Sequence, residues 1–199
     1  MVDAYRYVVR FDDGSAPNYG GVAVTLAICK PIIRRCADEG DLVIGFESLT
    51  VRRRSRAVRW AGIIKEKLTF EAYWRDERFR DKRPDTSIKG DNIYAPDGTA
   101  LVQVPNPVHG AGNVSRDLSG RFALVFGRAW VFGRNAPDLP EAMNLHFTGS
   151  AREGHRRSAL SGTQLAEVTS WLDHTYRLLG LPAFADGDGS QRNPGCRLC

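Results

Sequence analysis

No run of 18 apolar residues occurs in the 199-residue chain, so a membrane-spanning helix is not expected. The opening Met1-Val2-Asp3-Ala4-Tyr5-Arg6 lacks the apolar core of a secretory signal. Cysteine is scarce: the four present lack the dense, regular spacing of a disulfide scaffold, which argues for a reducing compartment and a cytoplasmic protein. There is no internal repeat, no Gly-x-Ser-x-Gly elbow and no Walker loop, which argues against the chemistries those motifs serve. A His-x-Glu paired with Pro-Cys-x-x-Cys is missing too, so a zinc deaminase is not expected. Cys196-Arg197-Leu198-Cys199 has ligand spacing but ends a Gly-, Asp- and Pro-rich tail. Cys29 and Cys36 straddle a strand–helix junction and read as small buried residues. No metal site and no cofactor are expected.

What is present suits an ordinary globular domain. Apolar residues make up 42% and charged residues 26% of the chain, enough for a real core. The net charge of +5 is uneven. Residues 51–90 hold 13 Lys/Arg against 6 Asp/Glu, while the other segments are near balance. That excess is headed by Arg52-Arg53-Arg54-Ser55-Arg56, which reads either as a phosphate footprint or as a solvated hairpin loop.

The chain organises around Ala27 to Phe46. A buried strand, Val22 to Ile28, feeds a short helix that starts at Pro31, where a missing N–H costs nothing. Gly40-Asp41 then launches the apolar strand Leu42 to Phe46. Before this lies an alternating strand, Tyr5 to Phe11, and a turn-rich loop over Asp12 to Gly21. After it, Ala57 to Leu68 reads as a strand in which Gly62 marks a bulge or close approach. Thr69 caps a helix that puts Phe70, Tyr73 and Trp74 on one core-facing side. A short strand, Leu101 to Val104, is stopped by Pro105-Asn106-Pro107. Arg121 to Gly133 reads as a hairpin that turns near Gly127-Arg128. Ser161-Gly162-Thr163-Gln164 has the form of a capping box, and Leu165, Val168, Leu172, Tyr176 and Leu179 give the helix behind it an apolar stripe.

The helix, Gly-Asp turn and apolar strand together resemble the small β-barrels of the PUA, ASCH and EVE superfamily, which bind single, often modified, bases. A wider set of residues resembles the nucleotide modification associated domain 2 family over about residues 5–150. It comprises Tyr5 to Asn18, Cys29 to Arg35, Asp91-Asn92-Ile93-Tyr94, Val104 to Gly110, Asp117-Leu118-Ser119-Gly120 and Phe132 to Pro137. Members are bacterial and phage proteins linked to DNA base modification systems. The resemblances imply an α+β fold: a small mixed PUA/EVE-like β-barrel over residues 1–150, a C-terminal helical extension (151–184) packed on it, and a flexible tail (185–199).

By the same likeness, the base-binding residues are Asn18, Tyr19, Thr25, Lys30, Phe46 and Ser48. Two further polar clusters, Asp91, Asn92 and Tyr94, and Asn106 and His109, supply the hydrogen bonding that a base edge needs. Each of these polar residues has the alternative role of satisfying backbone groups. Arg52, Arg53, Arg54 and Arg56 are the phosphate-binding candidates. ASCH-type amidohydrolases use Lys, Thr and Glu, which makes Lys30, Thr25 and Glu47 catalytic candidates here, with Thr and Lys in reversed order. His109 is the candidate general base, and His174 lies beside the stripe of the last helix. Three readings follow: a reader of a modified base or nucleotide, which is favoured; an enzyme hydrolysing or installing a base substituent; and a scaffold subunit. The expected partners are nucleic acid or modified nucleotides and proteins of a modification system, with no membrane.

Overall fold

Alternating β-formers at the N-terminus produce the first strand of the computed structural model, β1 (Val2–Val9). The structure describes residues 1–9, 13–48, 57–147 and 155–181. Among these, seven further strands follow: β2 (Val24–Leu26), β3 (Leu42–Glu47), β4 (Val58–Thr69), β5 (Tyr94–Asp97), β6 (Ala100–Gln103), β7 (Phe122–Val131) and β8 (His155–Leu160). The helices are α1 (Pro31–Cys36), α2 (Phe70–Arg75), α3 (Val114–Leu118), α4 (Glu141–Asn144) and α5 (Gly162–Leu178). None of them is long and apolar enough to cross a membrane.

The fold is mixed α+β, but the expected closed barrel is replaced by an open sheet. Six strands follow the order β2-β7-β4-β3-β1-β8, and β5 and β6 form a separate two-stranded ribbon. Closure requires the two end strands to pair. Here β2 is only three residues long and pairs with β7, while β8 pairs with β1.

The described residues divide into two compact units built from interleaved segments. The first holds 1–9, 37–48, 57–65, 128–147 and 155–181; the second holds 13–36 and 66–127. In the first unit, β1 runs parallel to β3, with Ala4 opposite Leu42, and antiparallel to β8. The core there includes Ile44, Phe46, Trp130, Phe132, Leu172 and Tyr176. Helix α5 starts with the expected capping box, Ser161 accepting from the Gln164 N–H, and buries Val168, Leu172 and Tyr176. The bulge expected at Gly62 is displaced. Gly62 pairs regularly with Val43, and the register shifts between Gly45 and Phe46 instead. A Cβ on Gly45 would collide with the Trp60 indole, whose N–H donates to Tyr7 Oη at 2.8 Å.

In the second unit, β2 pairs antiparallel with β7, and a core of Ala27, Ile28, Phe70, Tyr73, Phe79, Ile93 and Tyr94 lies among the strands and short helices. Thr69 caps α2, its hydroxyl accepting the Ala72 N–H at 3.1 Å. Trp74 departs from the core face and stacks under the Arg83 guanidinium, 4.7 Å from ring centroid to carbon.

Two expectations differ from the structure. Residues 121–133 do not turn at Gly127-Arg128; they form the continuous strand β7 alongside the equally continuous β4. Long-range pairing has overridden a local turn signal. Residues 151–184 also hold more than a helix, since β8 lies along β1.

Candidate active site

The second unit builds a polar cluster from the β2–α1 junction, the loop after β6 and helix α3. At the end of β2 the backbone enters α1 through Cys29 and Lys30, with φ of 56° and 42°. Two successive left-handed residues that carry a Cβ are uncommon and persist only where surrounding bonds fix them. Those bonds are present. The Cys29 N–H donates to Asp117 Oδ1 at 3.0 Å, and the Cys29 carbonyl accepts from Arg34 Nε at 2.7 Å. The Lys30 carbonyl accepts the Arg34 backbone N–H at 3.1 Å.

Arg34 organises this corner. Its side chain is fully buried. Nη1 donates to the Phe122 carbonyl at 2.8 Å and Nη2 to the Asp117 carbonyl at 2.6 Å. Three backbone carbonyls therefore close around one planar guanidinium, which also lies 5.4 Å from the Phe70 ring centroid. Burial lowers its pKa, against the pull of Asp117, to about 10. It stays charged at neutral pH.

Asp117, fully buried on α3, is shared. Besides Cys29, it accepts from the Tyr94 hydroxyl at 3.0 Å and hydrogen-bonds His109 Nδ1 through Oδ2. The other ring nitrogen, His109 Nε2, sits 3.3 Å from Cys29 Sγ. The histidine's backbone is held by Asn106 Oδ1, which accepts the Val108 and His109 N–H groups at 3.0 and 2.8 Å. This is an Asx turn in the proline-bounded loop.

The electrostatics agree with the geometry. Burial disfavours a charged His109, but the bonds to Asp117 and Cys29 outweigh it, and its pKa is raised to about 9. Burial would raise the Asp117 pKa, yet its hydrogen bonds with His109, Cys29 N–H and Tyr94 hold it below the usual range. At neutral pH, His109 is thus an imidazolium with one N–H on Asp117 and the other directed at sulfur. A donor N–H and a positive charge thus face the Cys29 sulfur. A thiol, an imidazole and an orienting carboxylate in series form the arrangement used for nucleophilic catalysis.

A second buried network lies deeper. Asp91 accepts from Thr25 Oγ1 at 2.9 Å, the Ala27 N–H at 3.0 Å and the Tyr73 hydroxyl at 2.7 Å. Lys82 Nζ donates to Asn18 Oδ1 at 2.6 Å and to the Gly20 carbonyl. Burial lowers the Lys82 pKa to about 8. The groups named here bond one another across β2, α2 and the segments 18–20 and 82–91, so this network holds the chain that leads into β2.

The sequence-predicted residues fall into several groups. Thr25, Asp91 and Asn18 belong to the deeper network, and Asn18 is 3% exposed with its amide donating to the Lys89 carbonyl at 2.8 Å. Asn92 is buried and donates to the Tyr73 and Phe79 carbonyls. Tyr94, Asn106, His109 and the Lys30 backbone all meet at the cysteine cluster. Tyr19 is half-buried beside Gly14. Phe46, Glu47 and Ser48 belong to the first unit: Phe46 is in its core and Glu47 pairs with Arg59 at 3.3 Å. His174 is on α5 in that unit. Arg52, Arg53, Arg54 and Arg56, and the C-terminal cysteines, lie outside the described residues.

Cys29, Arg34 and Asp117 were not among the site residues expected from the sequence. A thiol placed just before Lys-Pro at a strand–helix junction, with His and Asp elsewhere in the chain, was the available signal.

No curated protein and no solved structure matches the chain. The family model for nucleotide modification associated domain 2 matches residues 1–185, and the chain belongs to that family.

Proposed function

We propose that the protein is a cysteine-dependent enzyme of a nucleotide modification system, acting on an acyl-type substituent of a nucleotide. The observation that carries this reading is the 3.3 Å approach of Cys29 Sγ to His109 Nε2, with His109 Nδ1 bound to Asp117. Family membership supplies the nucleotide context. Cys29 attacks the acyl carbon, and the imidazolium of His109 passes its Nε2 proton to the departing nitrogen or oxygen. A thioester on Cys29 remains. His109, now neutral, takes a proton from water or from an incoming amine as that nucleophile attacks the thioester; the C–S bond breaks, the acyl group stays on the nucleophile, and the sulfur and the imidazolium are back in their starting states. Attack by water removes a substituent; attack by an amine installs one. Asp117 fixes the ring orientation throughout and stays ionised.

The test is to incubate pure protein with a panel of N-acylated nucleotides, following product and the intact mass of the protein. Turnover with an acyl adduct on the peptide that carries Cys29, both abolished in Cys29→Ser, is expected. Turnover that survives Cys29→Ser would overturn the assignment. Binding of the panel with no adduct and no product would favour a reader instead.

A further inference from the structure

The two segments that build the cysteine cluster are unusually cationic. Cys29 to Cys36 carries Lys30, Arg34 and Arg35 with no carboxylate, and Asn113 to Arg121 carries Arg116 and Arg121 against Asp117 alone. Asp117 is spent inside the cluster, where three donors occupy its oxygens. Arg34 is equally committed, each of its donating groups facing a carbonyl. Arg116 is different. Its side chain is 54% exposed, and its Nε stands 4.0 Å from Asp117 Oδ1, beyond hydrogen-bonding range. That same oxygen receives the Cys29 N–H. One carboxylate oxygen therefore separates the guanidinium from the backbone of the nucleophile. Arg116 Nη2 donates to the neutral Asn113 Oδ1 at 2.8 Å, which orients the fork.

Arg35 extends the surface. It is exposed and donates to the Ser119 carbonyl at 3.2 Å, while the Ser119 hydroxyl donates to the Arg116 carbonyl at 2.7 Å. The Arg35 guanidinium and the Arg116 backbone are thus both tied to Ser119, at the end of α3. An exposed guanidinium beside a reactive centre is suited to a bidentate oxyanion such as phosphate.

We propose that Arg116 forms an anion subsite next to Cys29, and that the substrate reaches the thiol carrying a phosphate rather than as a neutral base or nucleoside. This rests on the reading of Cys29 as nucleophile and adds the residue that holds the nucleotide's phosphate. Arg116 is a binding residue here and takes no part in bond making.

Paired alkylating reagents separate the two claims. Iodoacetate is an anion and iodoacetamide is neutral, and both alkylate a thiolate. The rate at Cys29 is read by peptide mass spectrometry, which distinguishes it from the other three thiols. The iodoacetate-to-iodoacetamide rate ratio at Cys29 is expected to exceed that of free cysteine. Arg116→Gln lowers it about fivefold, the worth of one charge near a protein surface. Arg116→Lys keeps most of it. Inorganic phosphate slows both reagents in the natural protein and loses that effect in Arg116→Gln. A ratio that is the same in the natural protein and in Arg116→Gln, with no protection by phosphate, would overturn the subsite. His109→Ala serves as the separate arm. If it slows iodoacetamide while the ratio ignores Arg116, the nucleophile stands and the subsite falls; if it changes nothing, the nucleophile reading itself falls.

Discussion

Replacing Arg34 with lysine keeps the charge and removes the geometry. The guanidinium donates to three carbonyls, those of Cys29, Phe122 and Asp117, at 2.7, 2.8 and 2.6 Å. A lysine ammonium is a single point and cannot reach all three. One or two buried carbonyls lose a charged donor, each worth about 1.5–3 kcal/mol. The expected loss of stability is therefore about 1.5–6 kcal/mol, a large share of the 5–15 kcal/mol typical of a domain. Arg34→Leu strands all three carbonyls and should cost at least as much, although it also removes a buried charge. Urea unfolding of the three proteins at neutral pH measures this. In the native state, the variants should also slow alkylation of Cys29, because the Cys29 carbonyl anchors its left-handed turn. If Arg34→Lys unfolds within 0.5 kcal/mol of the natural protein, roughly the noise of surface substitutions, the claim that this guanidinium holds the corner is wrong.

Two other outcomes concern the same corner and the Lys82 network. Gly120→Ala should destabilise by about 1–3 kcal/mol and slow Cys29 alkylation, because its Cβ would overlap the pinned Arg34 guanidinium; Gly112→Ala, where a Cβ meets nothing, should do neither. Stability should depend on pH through two buried bases with opposite signs. The His109 pKa is raised from 6.5 to about 9 in the fold, so its contribution is full below pH 6.5 and lost by about pH 9, at most about 3 kcal/mol. The Lys82 pKa is lowered from 10.5 to about 8, so between those values the unfolded chain holds more protons and stability rises with pH. Chemical unfolding from pH 6 to 10 should lose the first slope in His109→Gln and the second in Lys82→Met; unchanged slopes would refute both environments.

Much of the local structure was legible in the sequence. The Thr69 cap, the Ser161–Gln164 box and the Pro31–Gly40 helix and turn are signals whose meaning is set within a few residues. What escaped depended on distant partners. Gly127-Arg128 reads as a turn until β4 is known to run beside it. β8 is visible only as the partner of β1. At the site, His109 and Asn106 were identifiable from a proline-bounded loop, but their relation to Cys29 spans 80 residues of chain. Cys29 looked like a small core residue because nothing local marks its positive φ. Asn18 and Asp91 looked available for a ligand because their buried partners, Lys82 and Tyr73, lie on other elements.

The most direct test is the pH profile of Cys29 alkylation by iodoacetamide, read at the peptide level in the natural protein and in His109→Ala. The His109 imidazolium, 3.3 Å from the sulfur, predicts faster alkylation of Cys29 at pH 6–7 in the natural protein than in His109→Ala. Removal of the ring should slow the reaction across that range. Identical profiles for the two proteins would contradict the cysteine–histidine pair, and with it the enzyme.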